Sequence, residues 1–428
     1  MLKSDPQKRM LCSRVFVAAM IVVGLSWAAE LPADGTLPLG ERVFIASKIY
    51  SLIPTFFAHW KGTPGLDLDA AYRTYLSEIL FSNDRRQFDL ATMKFVAKLR
   101  NGHTGFWDPW FIDHHGQPRF FDAKYLGGQW MITHSSISGL KPGDVLVSID
   151  DQSLDQFFAE RRQYLSGSSE SQLRRRLFSS SNTPFPQKFS ITLADGRHIQ
   201  AERKLPEPAE KKDPVATEGR WIREGTLAYI DIPSFDDPEF QKSAIEFVKK
   251  FKTAKALIID VRGNEGGGTP SDLIRSLMDR PWRHWVETTP VSDALRKIDM
   301  GNDPGFHLDY RYEAPSEKPE AVYSGELFIL TDGDCTSACE DFVMPFKDNG
   351  RAKIVGGTTF GSSGQPYFHR FENGMIFGIS AKREYFPDGS EFEGIGIKPD
   401  MEVEPTPADL RSGNDAILQR AVDLTQQH

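Results

Sequence analysis

The stretch Ala256-Leu-Ile-Ile-Asp-Val-Arg-Gly-Asn-Glu-Gly-Gly-Gly268 decides the fold. Its first six residues are apolar except for Asp260, with no alternation between wet and dry positions. A strand reads this way when other elements cover both of its faces, as in a largely parallel sheet. The run stops at a polar turn that ends in three glycines. Consecutive glycines let neighbouring backbone N–H groups converge into an anion-binding nest, although a plain flexible turn has the same composition. The turn lacks the Gly-Lys-Ser/Thr ending of a phosphate loop.

Similar runs lie on either side. Leu227-Ala-Tyr-Ile-Asp-Ile comes before, with a helical stretch near 243–251 between them. Glu326-Leu-Phe-Ile-Leu, Ala352-Lys-Ile-Val and Met375-Ile-Phe-Gly-Ile-Ser come after. Strand–helix alternation predicts an α/β domain over residues 221–428. Residues 206–220, rich in Pro, Glu and Lys, read as a linker. Residues 121–205 carry short β-type runs between turns, such as Trp130-Met-Ile-Thr and Phe189-Ser-Ile-Thr-Leu. Within them, Gly139-Leu-Lys-Pro-Gly-Asp-Val-Leu-Val-Ser-Ile-Asp-Asp-Gln-Ser-Leu154 resembles the core of a PDZ domain, which implies docking of polypeptide C-termini by strand addition. A packing module that binds nothing is the alternative. Residues 29–120 read as a helical subdomain, with apolar stripes through Ile45, Ile49 and Ile53, through Tyr72, Tyr75 and Leu76, and through Phe88, Val96 and Leu99. Asn101-Gly102 closes the last helix, glycine being the residue that tolerates a left-handed cap.

The chain has 428 residues, 51 Lys+Arg against 59 Asp+Glu, and a net charge of -8. At about 150 residues per domain, two or three domains are expected. An apolar share of 39% and 30 Phe exclude wholesale disorder, and the absence of a basic excess argues against nucleic-acid binding. Residues 1–28 form a basic start (Lys3, Lys8, Arg9, Arg14), the apolar run Val15–Leu25, and Ser26-Trp27-Ala28. This predicts a secretory signal cleaved after Ala28, hence an exported, periplasmic or secreted protein that touches a membrane only through that segment. The run is short for a membrane span. Beyond Cys12, only Cys335 and Cys339 occur; their separation permits a disulfide unless a tight turn forbids it. With no histidine pair nearby, no metal is expected, nor any other cofactor. His114-His115 suggests at most adventitious metal binding, and His369 a structural role.

Two further segments carry polar side chains suited to chemistry. In Leu330-Thr-Asp-Gly-Asp-Cys-Thr-Ser-Ala-Cys-Glu-Asp-Phe342 a strand ends at a polar turn and a helix follows. A serine at such a junction exposes its hydroxyl, while the next N–H sits at a helix N-terminus where it can receive an oxyanion. Taken alone, the spacing favours Thr336 or Ser337 as a helix cap with Glu340 as partner. In Glu391-Phe-Glu-Gly-Ile-Gly-Ile-Lys-Pro-Asp400, Glu391 and Glu393 fit solvated edge residues equally well.

Taken in order, the motifs resemble the serine peptidases of family S41, the C-terminal processing and tricorn-like enzymes. Asp260-Val-Arg-x-Asn-x-Gly-Gly matches the family's glycine turn, and Ser337-Ala338-x-Glu340 its nucleophile motif. Gly357-Thr-Thr-Phe-Gly361 and Glu393-x-x-Gly396-Ile-x-Pro399-Asp400 match the later blocks. The resemblance implies a ClpP/crotonase-like α/β catalytic core with an N-terminal helical subdomain and a PDZ-like β-rich insert. The processing branch places a general-base lysine directly after Thr-Phe-Gly, where this chain has Ser362-Ser363. The other branch takes a histidine from an Asp-Gly-His-Thr-like motif, matched here by Asn101-Gly102-His103-Thr104. The implied mechanism is acyl transfer, with Ser337 as nucleophile, His103 as base and Glu393 as its partner. Ala338 with Gly266 or Gly267 would form the oxyanion hole. Since Gly102 replaces the serine that bridges to the glutamate in that branch, direct contact of Glu393 with His103 is expected. Polypeptides are the implied substrates. A degenerate peptide-binding scaffold and a small-ester hydrolase are the competing readings.

Overall fold

A computed structural model describes residues 36–118, 120–203, 216–290, 306–309 and 322–426. The predicted signal, residues 1–28, lies outside them, as does 206–215 of the predicted linker.

The decisive stretch forms a central strand, Ala256–Asp260, buried at every position. It is flanked in parallel by Leu227–Asp231 and Glu326–Thr331, and Lys353–Gly356 and Met401–Glu402 extend the sheet. Alternate residues explain why both faces are apolar. Leu257, Ile259, Leu327 and Ile329 pack with Ala244, Val248, Phe342 and Phe346 of helices Pro238–Lys250 and Ala338–Asp348. Ile258, Phe328 and Leu330 pack on the other face with Ile417, Leu418 and Ala421 of Ala416–Leu424. Each such buried Leu, Ile, Val or Phe side chain contributes about 1.5–3 kcal/mol. The sixth strand, Glu218–Arg223, runs antiparallel to Leu227–Asp231 at the sheet edge. Residues 218–220 therefore belong to the core, not to the linker read over 206–220. Gly219 lets Phe247 close over this strand, since a Cβ there would lie 2.3 Å from the Phe247 ring.

The helices Leu39–Phe56, Leu68–Leu80 and Arg85–Ala97 do not build a core alone. They bury Ile45, Ile49, Phe88 and Phe95 against Phe371, Met375, Phe377 and Ile379 of a hairpin from the other end of the chain. The strand Gly105–Trp107 pairs antiparallel with Ile376–Ser380 of that hairpin, Gly105 opposite Gly378. His103 is thus held two residues from a strand stitched to the α/β core. Residues 121–203 form a separate antiparallel sheet around its own apolar cluster, which includes Phe121, Phe157, Phe178 and Phe189. One of its helices, Glu170–Ser179, reaches the same region of the molecule as His103.

Candidate active site

Ser337 sits between strand Glu326–Thr331 and helix Ala338–Asp348 with φ 57° and ψ −126°. A non-glycine residue held there costs on the order of 1–3 kcal/mol, so its surroundings must over-determine it. They do. The Ser337 N–H donates to the Ser362 carbonyl at 3.1 Å and faces Glu340 Oε2 at 3.3 Å, and the Thr336 hydroxyl donates to the same carbonyl. A disulfide joins Cys335 to Cys339, with Cα atoms 5.4 Å apart, so the turn permits the bridge and closes a ring around Ser337 and Ala338. Glu340, fully buried, also accepts from Thr359 Oγ1, from Gly361 N at 2.7 Å and from Ser362 N at 3.0 Å. The Ser-x-x-Glu spacing therefore does cap the helix, and the same carboxylate anchors the 359–362 loop beside the serine.

His103 follows a helix end at which Arg100 (φ 47°), not Gly102, takes the left-handed conformation, which corrects the expected Asn101-Gly102 cap. Asn101 Oδ1 accepts from His103 N at 2.9 Å and Thr104 Oγ1 at 3.0 Å, while its amide Nδ2 donates to Glu393 Oε1 at 3.1 Å. An aspartate in this place would set a like charge against Glu393 and have no proton to donate.

The structure brings His103 and Glu393 together, but not by direct contact. His103 Nδ1 lies 2.9 Å from Ser362 Oγ, and that hydroxyl donates to Glu393 Oε1 at 3.0 Å. The expectation of a direct pair fails because Ser362, which occupies the lysine slot of the processing branch, supplies the bridge. Gly102 makes room for it: a Cβ at 102 would lie 2.5 Å from Ser362 Oγ. Since the single proton of Ser362 goes to the carboxylate, His103 Nδ1 must be the N–H donor, and Nε2 carries the free lone pair.

Glu393 also accepts a hydrogen bond from Ser168 of the β-rich unit. From the same unit, Gln172 Nε2 donates to the carbonyls of Phe360 (3.0 Å) and Gly361 (2.8 Å), and Arg176 donates to that of Gly102. On the far side of the carboxylate lies His59, buried like Glu393, with Nδ1 3.9 Å from Glu393 Oε2. Burial, then Arg176 and Lys382, lower the His103 pKa to about 3, so the ring is neutral and basic in form. Burial raises Glu393 to about 7 against the opposing hydrogen bonds from Ser168 and Ser362.

For the oxyanion donors the outcome divides. The glycine turn does reach the nucleophile, a Cβ on Gly266 falling 2.8 Å from Ser337 Cβ and 2.9 Å from Ala338 N. Yet the Gly266 N–H is directed to Asn264 Oδ1 at 2.9 Å, which corrects its candidacy. Ala338 and Gly267 are left as the candidates. Of the remaining histidines, His114 stacks on Trp110 and His369 packs edge-on against Phe371 in a strand. Glu391 pairs with Lys61 and with Arg383. Ser168 and His59 had no sequence signal, whereas Ser362 was visible as the serine standing in the lysine slot.

A buried parallel sheet, a strained serine at a strand-to-helix turn, and an imidazole relayed to a carboxylate through Ser362 define the α/β fold and its candidate site. The fold resembles mature CPAF solved with lactacystin (TM-score 0.67, 15% identity, covering 91% of this chain and 98% of that one) and the photosystem II D1 C-terminal processing protease (TM-score 0.50, 17%, 87% and 96%). Residues 226–403 match Peptidase family S41, and the chain carries a domain of that family. Among curated proteins it is 26% identical over 297 residues to the carboxyl-terminal-processing protease of Synechocystis sp., covering 67% of this chain. It is 26% identical over 214 residues to the tricorn protease of Thermoplasma acidophilum, covering 49%. The chain spans 61% and 18% of the length of these two relatives.

Proposed function

We propose that the protein is an exported serine endopeptidase that hydrolyses peptide bonds through an acyl-enzyme. The observation that carries this reading is the double role of Ser362: its carbonyl holds Ser337 while its hydroxyl links His103 to Glu393. Ser337 Oγ attacks the carbonyl carbon, and His103 Nε2 takes the hydroxyl proton. The imidazolium so formed keeps its Nδ1–H on Ser362, whose own proton faces Glu393, so a negative charge offsets the positive one at one remove. The N–H groups of Ala338 and Gly267 receive the oxyanion, a single such donor being worth about 3 kcal/mol. His103 then returns the proton to the leaving amine, and water releases the acyl group by the same steps. The names of the curated relatives support peptides as substrates. The basic and apolar start of the chain supports export, with which a disulfide in a structural turn agrees. The β-rich unit is read as a dock for polypeptide C-termini through an edge strand such as His198–Glu202.

The test is hydrolysis of a mixed peptide library. Ser337→Ala and His103→Ala should each abolish cleavage, with circular dichroism and melting unchanged. A folded variant that kept most of the activity would contradict the assignment at that residue, and turnover of simple esters alone would point to the ester hydrolase.

A further inference from the structure

His59 and Glu393 present each other with two buried atoms that lack hydrogen-bond partners, Nδ1 and Oε2, 3.9 Å apart. The other atoms of both groups are engaged. Glu393 Oε1 accepts from Ser168, Ser362 and Asn101. His59 Nε2 lies 2.9 Å from the Lys382 carbonyl and 2.9 Å from Ser380 Oγ. A carbonyl only accepts, so Nε2 carries a hydrogen. In a neutral ring Nδ1 is then a bare lone pair, facing a carboxylate oxygen that also has only lone pairs. Two acceptors buried face to face are unfavourable by the cost of unsatisfied polar groups. A single proton on either atom removes the conflict.

We infer that Glu393 carries a proton on Oε2, facing the lone pair of His59 Nδ1, which makes His59 a positioning residue that sets the charge of the carboxylate behind Ser362 and His103. The surroundings fix where that proton rests and which way it leaves. Arg383 and His103 face His59, and burial, then the Arg383 charge, hold the ring down at about 3. Arg383, Arg176 and Glu340 face Glu393, whose own carboxyl is held up near 7. The proton therefore sits on the carboxyl, facing Nδ1 across 3.9 Å. As the pH rises through neutrality it leaves, and Glu393 becomes the anion that the His103 imidazolium needs. The protonated pair is thus a brake on the proposed peptidase reaction, released by rising pH. The consequence for turnover rests on the reading of Ser337, His103 and Glu393 given above; the proton on Glu393 Oε2 does not.

Two measurements on the full chain test the two parts separately. In the protein carrying 15N-labelled histidine, the His59 resonances are assigned through the ring contact with Phe57, centroids 5.9 Å apart. They should show a titration step near neutral pH that is absent from Glu393→Gln. His59 resonances that stay still, or that titrate equally in Glu393→Gln, would overturn the inference whether or not the protein cleaves peptides. For the enzyme, His59→Gln removes the acceptor from the protonated carboxyl and offers an N–H to the ionised one. The acid limb of kcat/KM should then move to lower pH by about one unit, with KM and melting temperature little changed. A folded His59→Gln enzyme whose acid limb stays in place would show His59 to be packing alone. If that variant does not fold, the resonance measurement still decides.

Discussion

Because Ser362 directs its only hydroxyl proton to Glu393, removing that hydroxyl separates base from carboxylate without touching either. Ser362→Ala keeps the backbone carbonyl that holds Ser337 and the N–H that meets Glu340. We expect kcat to fall by about 10²–10³-fold with KM nearly unchanged, within the range general acid–base groups contribute. Steady-state kinetics on a peptide would check it, and a loss of only a few-fold would remove Ser362 from the proton path. Gly102→Ala should mimic that loss from the opposite side, because its methyl group would take the place of Ser362 Oγ. At this scale the sequence showed Ser337, His103 and Glu393 through motif blocks. It did not show the bridge, because the contacts of a hydroxyl depend on which loop folds beside it. The absence of a serine next to His103 pointed instead to direct contact.

The strand-to-helix turn from Cys335 to Cys339 is the element on which the proposed chemistry turns, since one ring encloses both Ser337 and the Ala338 N–H. Closing so short a loop stabilises by about 2 kcal/mol in the chain-entropy account. Replacing both cysteines by alanine should lower stability by about that amount, read from chemical denaturation. It should also let the strained Ser337 relax, with kcat falling about tenfold, equivalent to ~1.4 kcal/mol. Unchanged kcat in the disulfide-free protein would mean that Glu340 and the Ser362 carbonyl hold the turn unaided. The buried strands were legible element by element, since Ala256–Asp260 and Glu326–Thr331 are apolar on both faces. The edge strand Glu218–Arg223 was not. One of its faces is half-wet and its composition runs on from the Pro- and Lys-rich segment before it, so a linker was the simpler reading. Nor does any local signal tell that helix Glu170–Ser179 leans on the site through Gln172 and Arg176.

Over the whole molecule, buried ionisable groups set how stability varies with pH. Glu384 is fully buried, and burial followed by Asp341 raises its pKa to about 8; Glu393 is raised to about 7. Both lie above the ordinary 4.5, so the folded chain holds these protons where the unfolded chain has lost them. Stability from this source is full below 4.5 and is lost as the pH rises through the folded values. His59 and His103, lowered from 6.5 to about 3, act in the opposite sense, but only below 6.5. Between 6.5 and 8 the carboxyls alone count, and unfolding free energy should fall by about 2 kcal/mol across that window. Urea midpoints against pH would measure it; Glu384→Gln should flatten most of the decline, and a flat wild-type profile would contradict the burial argument. The assembly of three units around one site was legible only through the order of the motifs, because the pairing of Gly105 with Gly378 spans most of the chain. What joins the scales is the proposed activation of the Ser337 hydroxyl, and it is tested most directly by reaction with a serine-directed phosphonate followed by peptide mapping. A single adduct is expected on Ser337, formed rapidly by the wild type, slowly by Ser362→Ala and not by His103→Ala. An adduct on another residue, or undiminished labelling of Ser337 in folded His103→Ala, would contradict it.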